Sequence, residues 1–242
     1  MKKNLILLIF VSFFFVCKQA SALPDCTPDS VADFVPTGEA GFGHAEMPEV
    51  VLGLPGGSLS AQQSLDVVSL GWGGELILEF RDTVIVDEPG PDFIVFENPF
   101  FVGSVPASAG DSFRVFAEPL VVSVSEDGVN WYEFPYDAGA LSRVGGVDGI
   151  DGNTFIQLVG LAGITPTFTA EIIVADDPFV WDAEGTGGVS GMGGDAFDLA
   201  DLGVPGLQVR FIRLTDAARP IGFAGEMEGA DVDAVWPCTA CR

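Results

Sequence analysis

The 242-residue chain carries 35 aspartates and glutamates against ten lysines and arginines, a formal net charge of −25. That charge repels nucleic acid and anionic lipid and concentrates divalent cations near clustered carboxylates. A hydrophobic content of 48%, with 31 glycines and 16 prolines spread between short apolar runs, excludes a disordered chain and is enough for a sizeable core.

The first element is a secretory signal. Lys2 and Lys3 precede an apolar run from Leu5 to Val16, and Ala20-Ser21-Ala22 forms a small-x-small cleavage site, so residues 1–22 are expected to be removed. The run is too short to span a bilayer comfortably and no second one follows, so no membrane insertion is expected after cleavage. All three lysines leave with the signal, and seven arginines then face the 35 carboxylates. The expected location is extracellular or at the cell surface, with the periplasm as the alternative.

Residues 23–242 read as a single β-sandwich domain, since neither a linker nor a repeat of fixed period is visible. A two-residue hydrophobic period predicts strands at Leu65–Leu70, Glu75–Phe80, Asp92–Glu97, Phe113–Ala117, Val121–Ser125 and Trp131–Phe134. Further strands are expected at Thr154–Leu158, Glu171–Val174, Val209–Thr215 and Asp231–Trp236. Gly73-Gly74, Pro89-Gly90-Pro91, Asp127-Gly128 and Gly145-Gly146 supply turn chemistry between them. The fold class is therefore all-β, a single antiparallel sandwich of jelly-roll type with long loops and at most short helices. The expected helical turn is Ala196–Leu202, capped by Asp195 and stopped by Gly203 and Pro205.

In Val121–Phe134, Val122, Val124 and Trp131 are expected to face the core, with Asp127-Gly128 turning the chain back. The segments Ser125-Glu126-Asp127-Gly128-Val129-Asn130-Trp131 and Arg210-Phe211-Ile212-Arg213-Leu214 resemble two strands of discoidin (coagulation factor 5/8 type C) and other galactose-binding-like domains. Discoidin domains commonly join their two ends through a disulfide, so the resemblance implies pairing of Cys26 with Cys238, with Cys241 left over or exchanging roles with Cys238. Four further blocks, Gly73–Phe80, Gly90–Asn98, Phe197–Leu202 and Gly229–Val235, are similar to recurring phrases of secreted bacterial cell-surface proteins. This second resemblance implies location and fold and carries no catalytic residue.

Oxygen ligands concentrate where these blocks end: Asp92, Glu97 and Asn98, then Asp195, Asp198 and Asp201, then Asp231 and Asp233. Calcium takes about six to eight oxygens, which sandwich loops deliver from distant positions. One structural calcium is expected, held among Asp92, Glu97, Asn98, Asp195, Asp198, Asp231 and Asp233 gathered at one rim. The alternative is plain turn, cap and edge chemistry. Strict alternation places Asp231 and Asp233 on one side of their strand, with Val232 and Ala234 opposite. An EF-hand loop beginning at Asp151 is excluded because its twelfth residue is Ala162.

Enzymatic readings lack parts. The sole histidine, His44, has neither a nucleophile elbow nor a second metal-ligand motif around it, and Cys238-Thr239-Ala240-Cys241 precedes no helix that would make it redox-active. A carboxylate-based glycoside hydrolase needs only two placed acids and is retained as a lesser reading. Trp131 and Trp236 read as core. Trp181, in the acidic aromatic segment 176–184, is the expected ligand-binding residue. The leading expectation is a binding module that recognises glycan or an extracellular protein through its loops. A purely structural surface or matrix protein is the competing reading.

Overall fold

The computed structural model describes residues 27–38, 40–56, 64–103, 112–142, 149–167, 193–217 and 229–238. In chain order these form β1 (Ser30–Val35), β2 (Val68–Ser69), β3 (Glu75–Glu79), β4 (Ile85–Val86), β5 (Phe93–Glu97), β6 (Phe100–Phe101), β7 (Arg114–Phe116), β8 (Leu120–Ser125) and β9 (Tyr132–Glu133). There follow α1 (Ala138–Leu141), β10 (Ile150–Asp151), α2 (Gly152–Phe155), β11 (Leu161–Ala162), β12 (Asp195–Phe197), β13 (Gln208–Val209), β14 (Phe211–Asp216) and β15 (Asp231–Pro237). Among the described residues every strand pairing is antiparallel. The chain is the antiparallel all-β sandwich expected from its two-residue periodicity.

One sheet runs β1-β3-β14-β8-β11, with β9 also on β8, and the facing sheet runs β12-β5-β15-β2. Alternation dictates what lies between them. Leu76 and Leu78 of β3, Ile212 and Leu214 of β14, and Val122 and Val124 of β8 all point inward and are fully buried. The facing sheet contributes Phe93, Val95, Val232 and Val235 to the same core. Phe93 stacks on Phe197 at 5.2 Å between centroids, and Phe134 meets Phe197 edge-on at 4.9 Å. β5 is apolar on both faces because its outer side chains, Ile94 and Phe96, pack with Ala234, Trp236 and Cys238 under their own cover. A smaller sheet, β10-β7-β6, and the two short helices enclose a separate cluster including Val115, Leu141, Ile150 and Leu161.

Several sequence expectations are corrected. Thr154–Leu158 is not a strand: Asp151 accepts the Thr154 amide at 2.9 Å and starts α2, an N-cap that overrides the apolar alternation. The expected turn at Ala196–Leu202 is divided, because Asp195–Phe197 pairs with β5 and only Leu199–Leu202 forms a 3-10 turn, capped by Asp198 in place of Asp195. Val209–Thr215 breaks at Arg210, so that β13 serves β4 and β14 serves the main sheet. The Asp127-Gly128 hairpin forms with Val124 opposite Tyr132, yet Trp131 is only half-buried beneath the Arg213 guanidinium, 4.5 Å from its ring centroid, and Phe134 fills the core instead. Residues 1–22, the strand expected at Glu171–Val174, Trp181, Cys26 and Cys241 lie outside the described residues.

Candidate functional site

The parity that buries Phe93 and Val95 also turns Glu97 inward, opposite Val232 of β15. Its residue is 2% exposed. Oε1 accepts the Asp231 amide at 2.7 Å, while Oε2 receives no hydrogen bond. Burial pushes this carboxyl well above the usual range, and the charges of Glu118 and Asp231 push it further in the same direction. Next along the chain, Asn98 accepts the Ser64 amide at 2.6 Å, and Ser69 donates its hydroxyl to Asp231. The Glu97 carbonyl accepts Thr167 Oγ1 at 2.9 Å. On the far side of Oε2 stands Gly163 at φ 76°, where a Cβ would lie 3.3 Å from Oε2 and 2.6 Å from the Glu118 carbonyl oxygen. The bare glycine backbone thus lies against both the Glu97 side chain and the main chain at Glu118.

The other expected ligands are engaged as anchors of loops. Asp195 accepts the amides of Ile164 at 2.9 Å and Thr165 at 3.2 Å, and desolvation raises its carboxyl to about 6 against those hydrogen bonds. Asp233 grips the Gly56 amide with both oxygens, at 2.9 and 3.0 Å, and burial raises it to about 7. It sits at a bulge: Val232 opposes Glu97 and Ala234 opposes Phe96, which leaves Asp233 as the extra residue. Val232 consequently faces the inter-sheet core while Ala234 packs on the outer face, so the two do not share a side as strict alternation implied.

Asp92, fully buried, accepts the Glu88 amide at 3.0 Å and the Leu199 amide at 2.8 Å. Burial raises its carboxyl, partly offset by those two bonds, and Asp198 and Asp87 add to the rise. Asp87, Asp92 and Asp198 bring carboxylate oxygens within 4.8 Å of one another. Yet both Asp92 oxygens are already hydrogen-bonded, and Asp198 accepts the Ala200 amide at 2.9 Å. Five residue steps along the chain separate Asp92 from Glu97, about 16 Å at strand rise. The seven expected ligands are therefore spread along the facing sheet, with Asp92 and Asp198 at one end, Glu97, Asn98, Asp231 and Asp233 at the other, and Asp195 opposite Val95 in the middle of β5. One ion at a common rim does not reach them all.

Two residues important here have no part in the sequence expectation. Asp216 closes β14, with Oδ1 accepting the Gly73 amide at 2.8 Å and Oδ2 the Ala230 amide at 2.9 Å. Its inward position was readable from the parity of Ile212, Leu214 and Asp216. Glu118, just before Pro119 and β8, belongs to no periodic run and has no such signal. His44 is structural in its contacts: Nε2 lies 2.8 Å from the Ser69 carbonyl, and the ring meets Phe34 edge-on at 5.1 Å. Trp236 is buried as expected, at 6% exposure. Cys238 is also buried, and its expected partner Cys26 lies outside the described residues. In comparisons with known proteins, no family model and no curated protein matches the chain.

Proposed function

We propose that the protein is a secreted or cell-surface binding module, a calcium-bearing β-sandwich that recognises a glycan or an extracellular protein through its loops. The observation that carries this reading is the fastening together of the residues that flank segment 168–192. Gly193 packs directly against the Pro166 carbonyl, and Asp195 clamps the amides of Ile164 and Thr165. A rigid scaffold that holds loop roots by buried carboxylates is what recognition through loops requires. Trp181, flanked by Asp176, Asp177, Asp182 and Glu184, lies in the sequence between those fastened ends.

The same hydrogen bonds weigh against a hydrolase. Asp92, Asp195 and Asp233 accept backbone amides, and His44 faces a main-chain carbonyl, so none of these groups is placed as an acid and base pair across a cleft. A glycan array probed in calcium tests the reading. Specific binding that disappears with Trp181→Ala supports it. Silence across glycan and extracellular-matrix protein arrays favours the structural surface protein.

A further inference from the structure

Trp72 is 46% exposed, yet its backbone is fastened from several sides. Its carbonyl accepts the Thr37 hydroxyl at 2.5 Å, and the Thr37 amide in turn bonds the Leu70 carbonyl at 2.9 Å. Gly71 and Gly73 flank it at φ 72° and 70°, and the Gly74 amide closes the turn on the Gly71 carbonyl at 2.9 Å. The Gly73 amide ends on the buried Asp216 carboxylate at 2.8 Å. A Cβ on Gly71 would lie 2.0 Å from the Thr37 carbonyl oxygen, and one on Gly229 would lie 2.6 Å from the Gly71 carbonyl carbon, so the turn has no room to shift. This packing dictates the glycines around position 72 and makes no demand on the side chain at 72 itself. The fold accounts for the turn but not for an indole in water, a residue that folded domains mostly cover.

A rigidly held, exposed aromatic ring binds at low entropic cost, since no backbone has to be ordered on contact. The charge of the chain narrows the ligand. With 35 acidic against ten basic side chains, it repels sulfated and uronic-acid glycans, nucleic acid and acidic proteins. A neutral pyranose is not repelled, and its C–H face packs on the electron-rich face of an indole. Trp72 and the exposed Val35, which opposes Glu75 at the start of β3, offer a platform of sugar size, far short of the roughly 800 Å² per partner that a specific protein interface buries. We propose that Trp72 is a stacking platform for a neutral glycan, at the end of the sandwich where β14 ends and β15 begins. This rests on the binding-module reading and names its ligand class and one contact residue. The placement suits recognition beside loops. Asp216 and Gly229, which grip the turn, stand on either side of segment 218–228, and Thr167, at the root of segment 168–192, bonds the Glu97 carbonyl at the same end.

The test is affinity electrophoresis of the full chain in calcium, through gels holding xyloglucan, galactomannan or mixed-linkage β-glucan, with alginate as the anionic comparison. Wild type, Trp72→Ala, Trp72→Phe and Val129→Ala are run side by side. The wild type should be retarded by at least one neutral polysaccharide and not by alginate. Trp72→Ala should bind about 30-fold or more weakly, as loss of an aromatic anchor does. Trp72→Phe keeps a smaller ring and should lose about 5-fold. Val129→Ala, exposed at the opposite end beyond β8, should bind as the wild type does. Should Trp72→Ala fail to fold, the loss in Trp72→Phe decides the point. Retardation that is unchanged in the Trp72 variants, or lost alike in Val129→Ala, overturns the proposal and keeps the module reading. Retardation by alginate alone overturns it as well. A wild type retarded by no polysaccharide overturns the proposal, and the module reading then stands only if an extracellular-matrix protein array gives capture.

Discussion

Gly193 stands so close to Pro166 that a Cβ on the glycine would lie 1.9 Å from the proline carbonyl oxygen, at a backbone φ of 75° that L side chains rarely adopt. The contact brings together the residues that flank segment 168–192, and no side chain fits it. Gly193→Ala should therefore combine a left-handed strain with a backbone clash and destabilise the fold by about 2–4 kcal/mol. Gly206→Ala is the control: its φ is 77° but nothing lies within 4 Å of the added carbon, so it should cost only about 1 kcal/mol. Urea denaturation of both variants reads the difference, and equal midpoints would contradict the account.

Asp216 joins the end of β14 to the segments before β3 and β15 through the Gly73 and Ala230 amides. Asp216→Ala leaves two buried-side donors without that acceptor, at about 3 kcal/mol or more. Hydrogen exchange gives the local readout. The Gly73 and Ala230 amides should exchange much faster while those in the middle of β3 stay protected.

Phe134 belongs to the aromatic group with Phe93 and Phe197, whereas Trp131 lies half-buried below Arg213. Phe134→Ala should cost about 3–5 kcal/mol, the range for emptying a packed aromatic site. Trp131→Ala should cost clearly less, since it removes a partly exposed cation–π contact worth about 1 kcal/mol and limited burial. A reversed order in chemical melts would place Trp131 in the core after all.

The Asp195 carboxyl is raised to about 6 from an ordinary value of 3.8, chiefly by desolvation. The folded state then holds this proton more tightly than the unfolded chain, so the contribution is complete below about pH 4 and is lost as pH rises through 6. In chelator, wild-type stability should fall from pH 4 to 7. Asp195→Asn cannot titrate and should lack that part of the fall, so the stability gap between variant and wild type should change with pH across this window. A gap that stays constant would contradict the assignment.

Much of the sandwich was legible because long alternating runs declare their buried face. Glu75–Glu79 was read to within one residue, as was the turn at Asp127-Gly128, and most of Phe211–Asp216 lay inside an expected strand whose break at Arg210 was not visible, since each repeats its signal over several residues. Two-residue strands such as Ile85–Val86 and Leu161–Ala162 offer no period to read. At Thr154 a local cap outweighed an apolar run, and at Asp233 one extra residue reversed the facing of all that followed. The site was legible only in part. Acid residues at strand ends are visible in sequence, but whether Asp195 meets an ion or the Thr165 amide depends on a segment 30 residues away. Glu97 was recognised among the acids, while its neighbour Glu118 became visible only once the two sheets were superposed.

The most direct measurement is an anomalous difference map from a crystal grown in calcium. A calcium-bearing sandwich predicts one strong peak with protein oxygens about 2.3–2.6 Å from it. A map without any such peak from calcium-saturated protein would contradict it.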